Sequence, residues 1–239
     1  MPKTAVHIDS HAKLPGNAPA PEYRRSRRHS VAWWLVVGLS WTIVLYGAAY
    51  LSLRSRIFPP DLAESFKARP WGIYPHVIVG IIALAIGPLQ FHPRVQARTT
   101  LHHTLGKIYI VIALLVGIVG LYMATYSFGG MVTHVGFGLL AVGVLITTTL
   151  AYRNVLRRRY ARHREWMIRS YALMFAAPKL RLWLPLLAIA YGGEFRPAYL
   201  WVSWLCWVPN LLLAECYIRY TRRRPLRFAG STVEETAAA

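Results

Sequence analysis

The run WGIYPHVIVGIIALAIGPLQF, residues 71–91, opens a stretch of four apolar segments that ends at residue 191. The run carries no charged side chain, and a helix that crosses a bilayer needs about 20 predominantly apolar residues. Two further apolar runs lie outside the stretch, residues 31–53 before it and residues 198–218 after it. These lengths predict an all-α bundle of six transmembrane helices, because open sheets cannot satisfy their backbone groups in lipid.

The composition of the whole chain also indicates a membrane protein. Of its 239 residues 55% are hydrophobic, and the mean hydropathy is +0.34. The chain has 28 Lys and Arg against 9 Asp and Glu, a balance that also occurs in proteins that bind nucleic acid. Here the basic residues cluster between the apolar runs, and no basic groove pattern interleaved with aromatic residues is present. We therefore expect no nucleic-acid partner.

The order of apolar and basic segments predicts the topology. The predicted spans are residues 31–53, 71–91, 107–126, 131–152, 166–191 and 198–218; residues 1–30 form a disordered basic tail and residues 219–239 a basic, then polar tail. A tight turn is expected at residues 128–130 and a basic loop at residues 153–164. With both termini in the cytoplasm, 21 of the 28 basic residues lie on the inner side and five outside, as the positive-inside rule requires. We predict a multi-pass protein of a cell inner membrane, with the lipid bilayer as its surroundings.

Each of the four segments in the stretch has a histidine at or just before its start. In chain order these are His76, His102, His134 and His163. The topology places the histidines of spans two and four at the outer end, and those of spans three and five at the inner end. Two imidazoles that face each other across a helical bundle can bind one haem iron axially. The pattern predicts two haem b groups, one held by His76 with His134 and one by His102 with His163.

Glycines follow three of these histidines four residues later, on the same face of each helix. They are Gly80, Gly106 and Gly138. A glycine beside a ligating imidazole leaves room for a flat, wide group to lie against the helix backbone. His92 and His103 are alternative ligands. A lysine rather than a glycine follows His103 at the same spacing, which favours its neighbour His102.

Polar side chains inside the spans form a second set of candidates, since charge in a bilayer is costly and indicates function by default. Arg181 falls five helical turns after His163, which places it at the outer site, where a haem propionate or an anionic substrate would suit it. Gln90 is expected at the inner site, either as a hydrogen-bond partner of the cofactor or as a helix cap. Arg169 is expected to anchor the inner cofactor electrostatically, or to pair with Glu215.

A structural role for the histidines stays open. Histidine is polar, so helix ends at the membrane interface suit it, and glycine is common in membrane helices generally. A site for a metal or another ligand is a third interpretation. The sequence has no paired carboxylates, nucleophile elbow, phosphate loop or zinc signature. The alternative function is therefore a non-redox membrane protein, a small transporter or an assembly partner, with structural histidines at the interface.

The string HREWMIRSYAL, residues 163–173, resembles a signature of a family of bacterial membrane proteins catalogued as domain of unknown function 2306. Four further strings add to the likeness: GPLQF at 87–91, LGKIY at 105–109, LRLWLP at 180–185 and WVPN at 207–210. The resemblance covers about residues 70–220. It implies a fold class but no established activity.

The histidine layout is also similar to that of the b561-type cytochromes, six-helix proteins whose two haems are held by helices two with four and three with five. This likeness implies a transmembrane electron-transfer oxidoreductase. The loops and the histidine spacings are shorter in this chain, and no ascorbate-site motif matches. The electron donor and acceptor stay open among a quinone, an ascorbate-like reductant and ferric iron, and so does a homodimer.

Overall fold

The computed structural model describes residues 27–51 and 68–223, and every regular element in these ranges is helical. The elements are α1 (Arg27–Leu51), α2 (Pro70–Ile86), a 3₁₀ turn (Gly87–Phe91), α3 (Pro93–Ala97), α4 (Thr99–Ala124), α5 (Met131–Leu156), α6 (Tyr160–Met174), α7 (Ala176–Ala190), α8 (Phe195–Leu205) and α9 (Val208–Arg222). Six helical stretches are long and apolar enough to cross a membrane, which confirms the predicted all-α, six-span fold. The predicted terminal tails lie almost entirely outside the described residues.

The connection between α5 and α6 is shorter than the sequence suggests. The basic loop expected over residues 153–164 is wrong in extent, since α5 continues to Leu156 and α6 begins at Tyr160. Arginine is a good helix former, and its long stem lets the charge reach water from the last helical turn. Arg158, with a φ of 56°, reverses the chain between the two helices. α4 begins at Thr99 rather than at residue 107, close to the earlier start near residue 101 that the sequence also allows.

Prolines divide each of the last two spans into two helices. Pro178 has no backbone N–H, so the carbonyl of Met174 lacks its usual partner, and α6 ends there. Pro209 has the same effect on the carbonyl of Leu205, where α8 ends. Span five therefore consists of α6 and α7, and span six of α8 and α9.

Four helices form the centre of the bundle. α2 packs on α4, α4 packs on α5 and α5 packs on α6, while a smaller contact between α6 and α2 closes the ring. α2 and α5 are therefore diagonal partners, and so are α4 and α6. α1 packs on α2, α9 packs on α6, and α7 packs mainly on α8. Following the predicted orientation, we call the end where α2 and α5 begin the outer end, and the opposite end the inner end.

Buried hydroxyl groups connect the helices in the middle of the bundle. Ser170 of α6 shares hydrogen bonds with Tyr109 of α4 (3.1 Å) and Thr148 of α5 (2.8 Å). Ser40 of α1 shares a 2.8 Å hydrogen bond with Tyr171 of α6. All five side chains are buried. In lipid these groups have no water to bond, so the network fixes the position of α6 against its three neighbours.

Gly87, just after α2, lies directly against two of these tyrosines. A Cβ at this position would come within 2.1 Å of Cε2 of Tyr171 and 3.2 Å of Cε2 of Tyr109. Both rings are buried and hydrogen-bonded, so we expect Gly87→Ala to lower the free energy of unfolding by about 1–3 kcal/mol. Thermal unfolding in detergent would measure the loss. Gly38→Ala is the matched control, because its Cβ would meet no atom within 4 Å. Equal stability of the two variants would contradict this packing.

Candidate functional site

At the inner end, three elements bring polar side chains together around Gly106. His102 of α4 and His163 of α6 lie close enough to interact electrostatically. Gln90, from the 3₁₀ turn, places its Oε1 only 3.3 Å from where a Cβ on Gly106 would be. Gly106 lies one helical turn after His102, so the amide lies against the helix backbone beside that imidazole. We call these four residues the inner group.

Three buried side-chain nitrogen atoms have no hydrogen-bond partner in the part of the chain that the structure describes. They are Nδ1 of His76, Nε2 of Gln90 and Nδ1 of His102. Such an atom, left unpaired, costs about 1–3 kcal/mol. All three belong to residues that the sequence predicts to contact a cofactor, and two belong to the inner group. A bound molecule that supplied their partners would offset this cost.

His163 makes the hydrogen bond that is typical of a metal-ligating histidine. Its Nδ1 lies 2.9 Å from the backbone carbonyl oxygen of Ala151 on α5. The N–H at Nδ1 can donate to that oxygen, which leaves the lone pair on Nε2. Histidines that bind metals commonly donate their other ring N–H to a carbonyl or carboxylate, and this bond fixes the orientation of the ring. The geometry of His163 therefore fits its predicted role.

His103 differs from its neighbour in position. Its side chain is exposed, whereas that of His102 is half-buried, and the centres of the two rings are 6.1 Å apart. His102 is therefore the more buried of the two candidate ligands. In the described ranges no group of three or more His, Cys, Asp or Glu side chains is arranged to hold a metal ion.

His76 of α2 and Arg181 of α7 are two of the polar residues that the sequence assigns to the outer site. The guanidinium carbon of Arg181 lies 5.4 Å from the centre of the Tyr46 ring on α1, and its Nη1 donates to the carbonyl of Ala177 (3.1 Å). Cε1 of His76 lies 3.8 Å from where a Cβ on Gly120 of α4 would be.

His134 is bonded to the turn that precedes its own helix. Its Nε2 lies 3.0 Å from the backbone oxygen of Ser127. The predicted turn at residues 128–130 is confirmed, with Gly129 and Gly130 at φ values of 108° and 77°. Ser127, the partner of His134, lies two helical turns beyond Gly120, which His76 approaches. The two points are therefore on the order of 10 Å apart along the helix axis. For His134 to share an iron with His76, its ring would have to leave Ser127.

The three glycines predicted to accommodate a flat group have different surroundings. A Cβ added at Gly80 or Gly138 would meet no atom within 4 Å, so open space adjoins both backbones. Gly106 is covered by Gln90 instead. A flat group could therefore reach the first two helix surfaces directly, whereas at Gly106 it would contact the amide of Gln90.

Arg169 is occupied by an ion pair. Its Nε donates to Oε1 of Glu215 and its Nη2 donates to Oε2 over 3.0 Å, so the pairing expected from the sequence is confirmed. The guanidinium carbon also lies 4.4 Å from the centre of the Trp166 ring. The side chain of Arg169 is only 13% exposed. Its contacts join α6 to α9, and its anchoring of the inner cofactor stays a prediction.

Residues 73–218 match a family of predicted membrane proteins described as domain of unknown function 2306. The chain belongs to this family. The matched region runs from α2 to α9 and contains the four predicted ligand histidines, Arg181 and the hydroxyl network except Ser40 of α1. No curated protein and no solved structure matches the chain. The likeness to b561-type cytochromes therefore depends on the histidine layout alone.

The strings that carry the resemblance to domain of unknown function 2306 have identifiable structural roles. In the string at 163–173, Glu165 pairs with Arg222 of α9, and Ser170 and Tyr171 belong to the hydroxyl network. In the string at 207–210, Nδ2 of Asn210 donates to the carbonyls of Cys206 (2.9 Å) and Ala172 (3.3 Å).

The hydroxyl network is the feature that sequence reasoning missed. The sequence feature that could have indicated this network is the pair of adjacent Ser and Tyr residues inside an otherwise apolar helical segment.

Proposed function

We propose that this member of domain of unknown function 2306 is a b-type cytochrome-like protein of a bacterial inner membrane, which moves electrons across the bilayer through two bis-histidine haem sites. The observation that supports the proposal is the set of unpartnered buried atoms on His76, Gln90 and His102. Inside a bilayer no water satisfies such atoms, so a bound group is the most direct way to satisfy them.

The inner group fits a haem best. His102 and His163 lie on the diagonal helices α4 and α6 and interact electrostatically, and the lone pair of His163 is directed to Nε2 by its bond to Ala151. The Nε2 of Gln90 would donate to an oxygen at the edge of the bound group. A haem held by these two imidazoles would supply one-electron chemistry, because its iron can be ferric or ferrous.

At the outer end only one of the two histidines has surroundings that fit a haem ligand. His76 has an unpartnered Nδ1, and open space lies beside Gly80 one turn later. His134, in contrast, has a protein partner at Nε2. The hydrogen bond between His134 and Ser127 specifically favours the second candidate function, a non-redox transporter or assembly partner in which the histidines fasten turns and helix ends.

An absorption spectrum separates the two candidate functions. Protein expressed with sufficient haem should show a Soret band and, on reduction, an α band, because low-spin bis-histidine haem gives both. We expect two haems per chain from a pyridine haemochrome assay. One haem per chain would restrict the proposal to the inner group. The absence of both bands in folded, monodisperse protein would exclude the cytochrome and leave the non-redox function.

A further inference from the structure

The connection between α5 and α6 carries a dense group of positive charges at the inner end of the bundle. Within the described residues no stretch of twelve positions other than residues 153–164 contains as many lysines and arginines. All of these residues are arginines, and all of their side chains are exposed. We call them the arginine cluster; its members are Arg153, Arg157, Arg158, Arg159, Arg162 and Arg164.

Backbone hydrogen bonds hold the arginine cluster together at one corner of the fold. The N–H of Arg157 donates to the carbonyl of Arg153 (3.2 Å), so these two residues lie one helical turn apart at the end of α5. The first turn of α6 is closed by a bond of 2.9 Å to the carbonyl of Arg159, and Arg162 lies within that turn. Because the chain reverses at Arg158, both helix ends present their arginines at the same place on the surface.

No carboxylate competes for these arginines in the part of the chain that the structure describes. That part contains three acidic residues, Glu165, Glu194 and Glu215. Both carboxylate oxygens of Glu165 accept hydrogen bonds from Arg222, and those of Glu215 accept from Arg169. Glu194 lies at the opposite end of the bundle, directly before α8. The arginine cluster therefore carries a positive charge that no acidic side chain of these ranges balances.

Exposed aromatic and apolar side chains place the arginine cluster at the level of the lipid headgroups. Tyr152 and Tyr160 flank the connection and are 43% and 64% exposed. Tyrosine is enriched at the membrane–water interface, where its ring lies at the depth of the headgroups. Leu156, 65% exposed, lies on the last turn of α5 between Arg153 and Arg157. The long arginine side chains can therefore reach lipid phosphates while their stems and Leu156 stay against the upper ends of the acyl chains.

We propose that the arginine cluster binds the phosphate of an anionic phospholipid, such as phosphatidylglycerol, from the leaflet at the inner end. Each guanidinium offers paired N–H donors whose spacing fits two oxygens of a phosphate. A zwitterionic headgroup brings a cation of its own, which the unbalanced arginines repel. The site therefore selects a headgroup with a net negative charge. It involves no haem and does not depend on the proposed function.

Native mass spectrometry of the full chain, released from detergent micelles, measures a dissociation constant for each added lipid. Dioleoylphosphatidylglycerol is the anionic probe, and dioleoylphosphatidylcholine is the zwitterionic comparison. The triple variant Arg157→Gln, Arg159→Gln and Arg162→Gln should raise the dissociation constant of the anionic lipid about tenfold or more, because charge-assisted contacts to its phosphate are lost. Arg158 is left unchanged, since its φ of 56° forms the turn.

A matched triple variant controls for total charge. Arg94→Gln, Arg98→Gln and Lys107→Gln together remove the same number of positive charges from the same end of the bundle, at exposed positions on or beside α3 and α4. The dissociation constant of the anionic lipid should stay close to that of the unmodified protein. Equal weakening by the two triple variants would overturn the site, since only the total charge would then matter.

The choice of probes separates the lipid from other sources of the same chemistry. Equal affinity of the unmodified protein for the two lipids would overturn the proposal, because the acyl chains and not the charge would then determine binding. Displacement of the anionic lipid by inorganic phosphate at an equal concentration would also overturn it, and would assign the arginine cluster to a soluble phosphate instead.

Single variants keep the test decisive if the triple variant does not fold. Arg157→Gln and Arg159→Gln should each raise the dissociation constant of the anionic lipid about two- to fivefold. Arg94→Gln is the matched single control and should leave it unchanged. If neither single variant weakened binding more than Arg94→Gln, the arginine cluster would not be the lipid site.

Discussion

His163→Ala is expected to remove or convert the haem signal of the inner group and to leave the outer signal unchanged. Axial ligation requires both imidazoles, so the loss of one leaves a five-coordinate or empty site. His163 is the most informative position because its bond to Ala151 directs the lone pair to Nε2. Electron paramagnetic resonance of the oxidised protein, together with the reduced α band, would resolve the two sites.

A conservative variant at the same position separates the loss of the iron ligand from the loss of the hydrogen bond to Ala151. His163→Asn keeps an N–H that can donate to the carbonyl of Ala151, but it has no imidazole for the iron. It should lose the inner signal as fully as His163→Ala while retaining more folded protein. If His163→Asn kept the inner signal, the assignment of His163 as a ligand would have to be abandoned.

The reciprocal variant concerns the outer site. His134→Ala should remove the outer signal and spare the inner one, if the ring exchanges its bond to Ser127 for the iron. Spectrally identical His134→Ala and His163→Ala proteins would contradict the two-site arrangement. If instead all four ligand substitutions lowered the folded yield alike, with no site-selective change in the spectrum, the histidines would be structural.

Arg169→Leu is expected to cause the largest loss of stability, on the order of 3 kcal/mol, because it leaves the carboxylate of Glu215 without its partner at the junction of α6 and α9. The double variant Arg169→Leu with Glu215→Leu should recover much of this loss, since neither charge then remains. Unfolding in mixed micelles with increasing SDS fraction would measure both variants under the same conditions.

The chain supplies a matched control for this ion pair. Arg222 and Glu165 join the same two helices, but the Arg222 side chain is 60% exposed and that of Glu165 18%. Water reaches the guanidinium and weakens this pair, so Arg222→Leu should lower the free energy of unfolding by less than Arg169→Leu, about a third as much. A loss as large as that of Arg169→Leu would show that the burial of Arg169 does not determine its contribution.

The fold was predictable to the extent that hydropathy determines it. The six spans follow from apolar runs long enough for a bilayer, and the structure contains all six. Their ends were less predictable, because the polar residues at Thr99 and around Arg153 continue a helix into the interface instead of stopping it. The division of span five follows from the missing N–H of Pro178, a local rule that the sequence displays directly.

The positions of the candidate site residues could be predicted only where the register of a helix determines them. Gln90 was predicted at the depth of His102, and its amide lies against Gly106, one helical turn after that histidine. The bond of His134 to the backbone of Ser127 depends on the path of a turn, which side-chain patterns do not reveal. The partners of Ser170 were likewise hidden, because a hydroxyl in an apolar helix has no periodicity that identifies what it bonds.

The two proline interruptions divide each of the last two spans into an inner and an outer half. The inner halves, α6 and α9, are joined by the ion pairs of Arg169 and Arg222, whereas the outer halves, α7 and α8, pack on each other and α8 also packs on α5. Bending is easiest where a carbonyl lacks its helical bond, at Met174 and at Leu205. The two breaks therefore let the outer halves adjust their packing on α5 without changing the direction of the ion-paired inner halves.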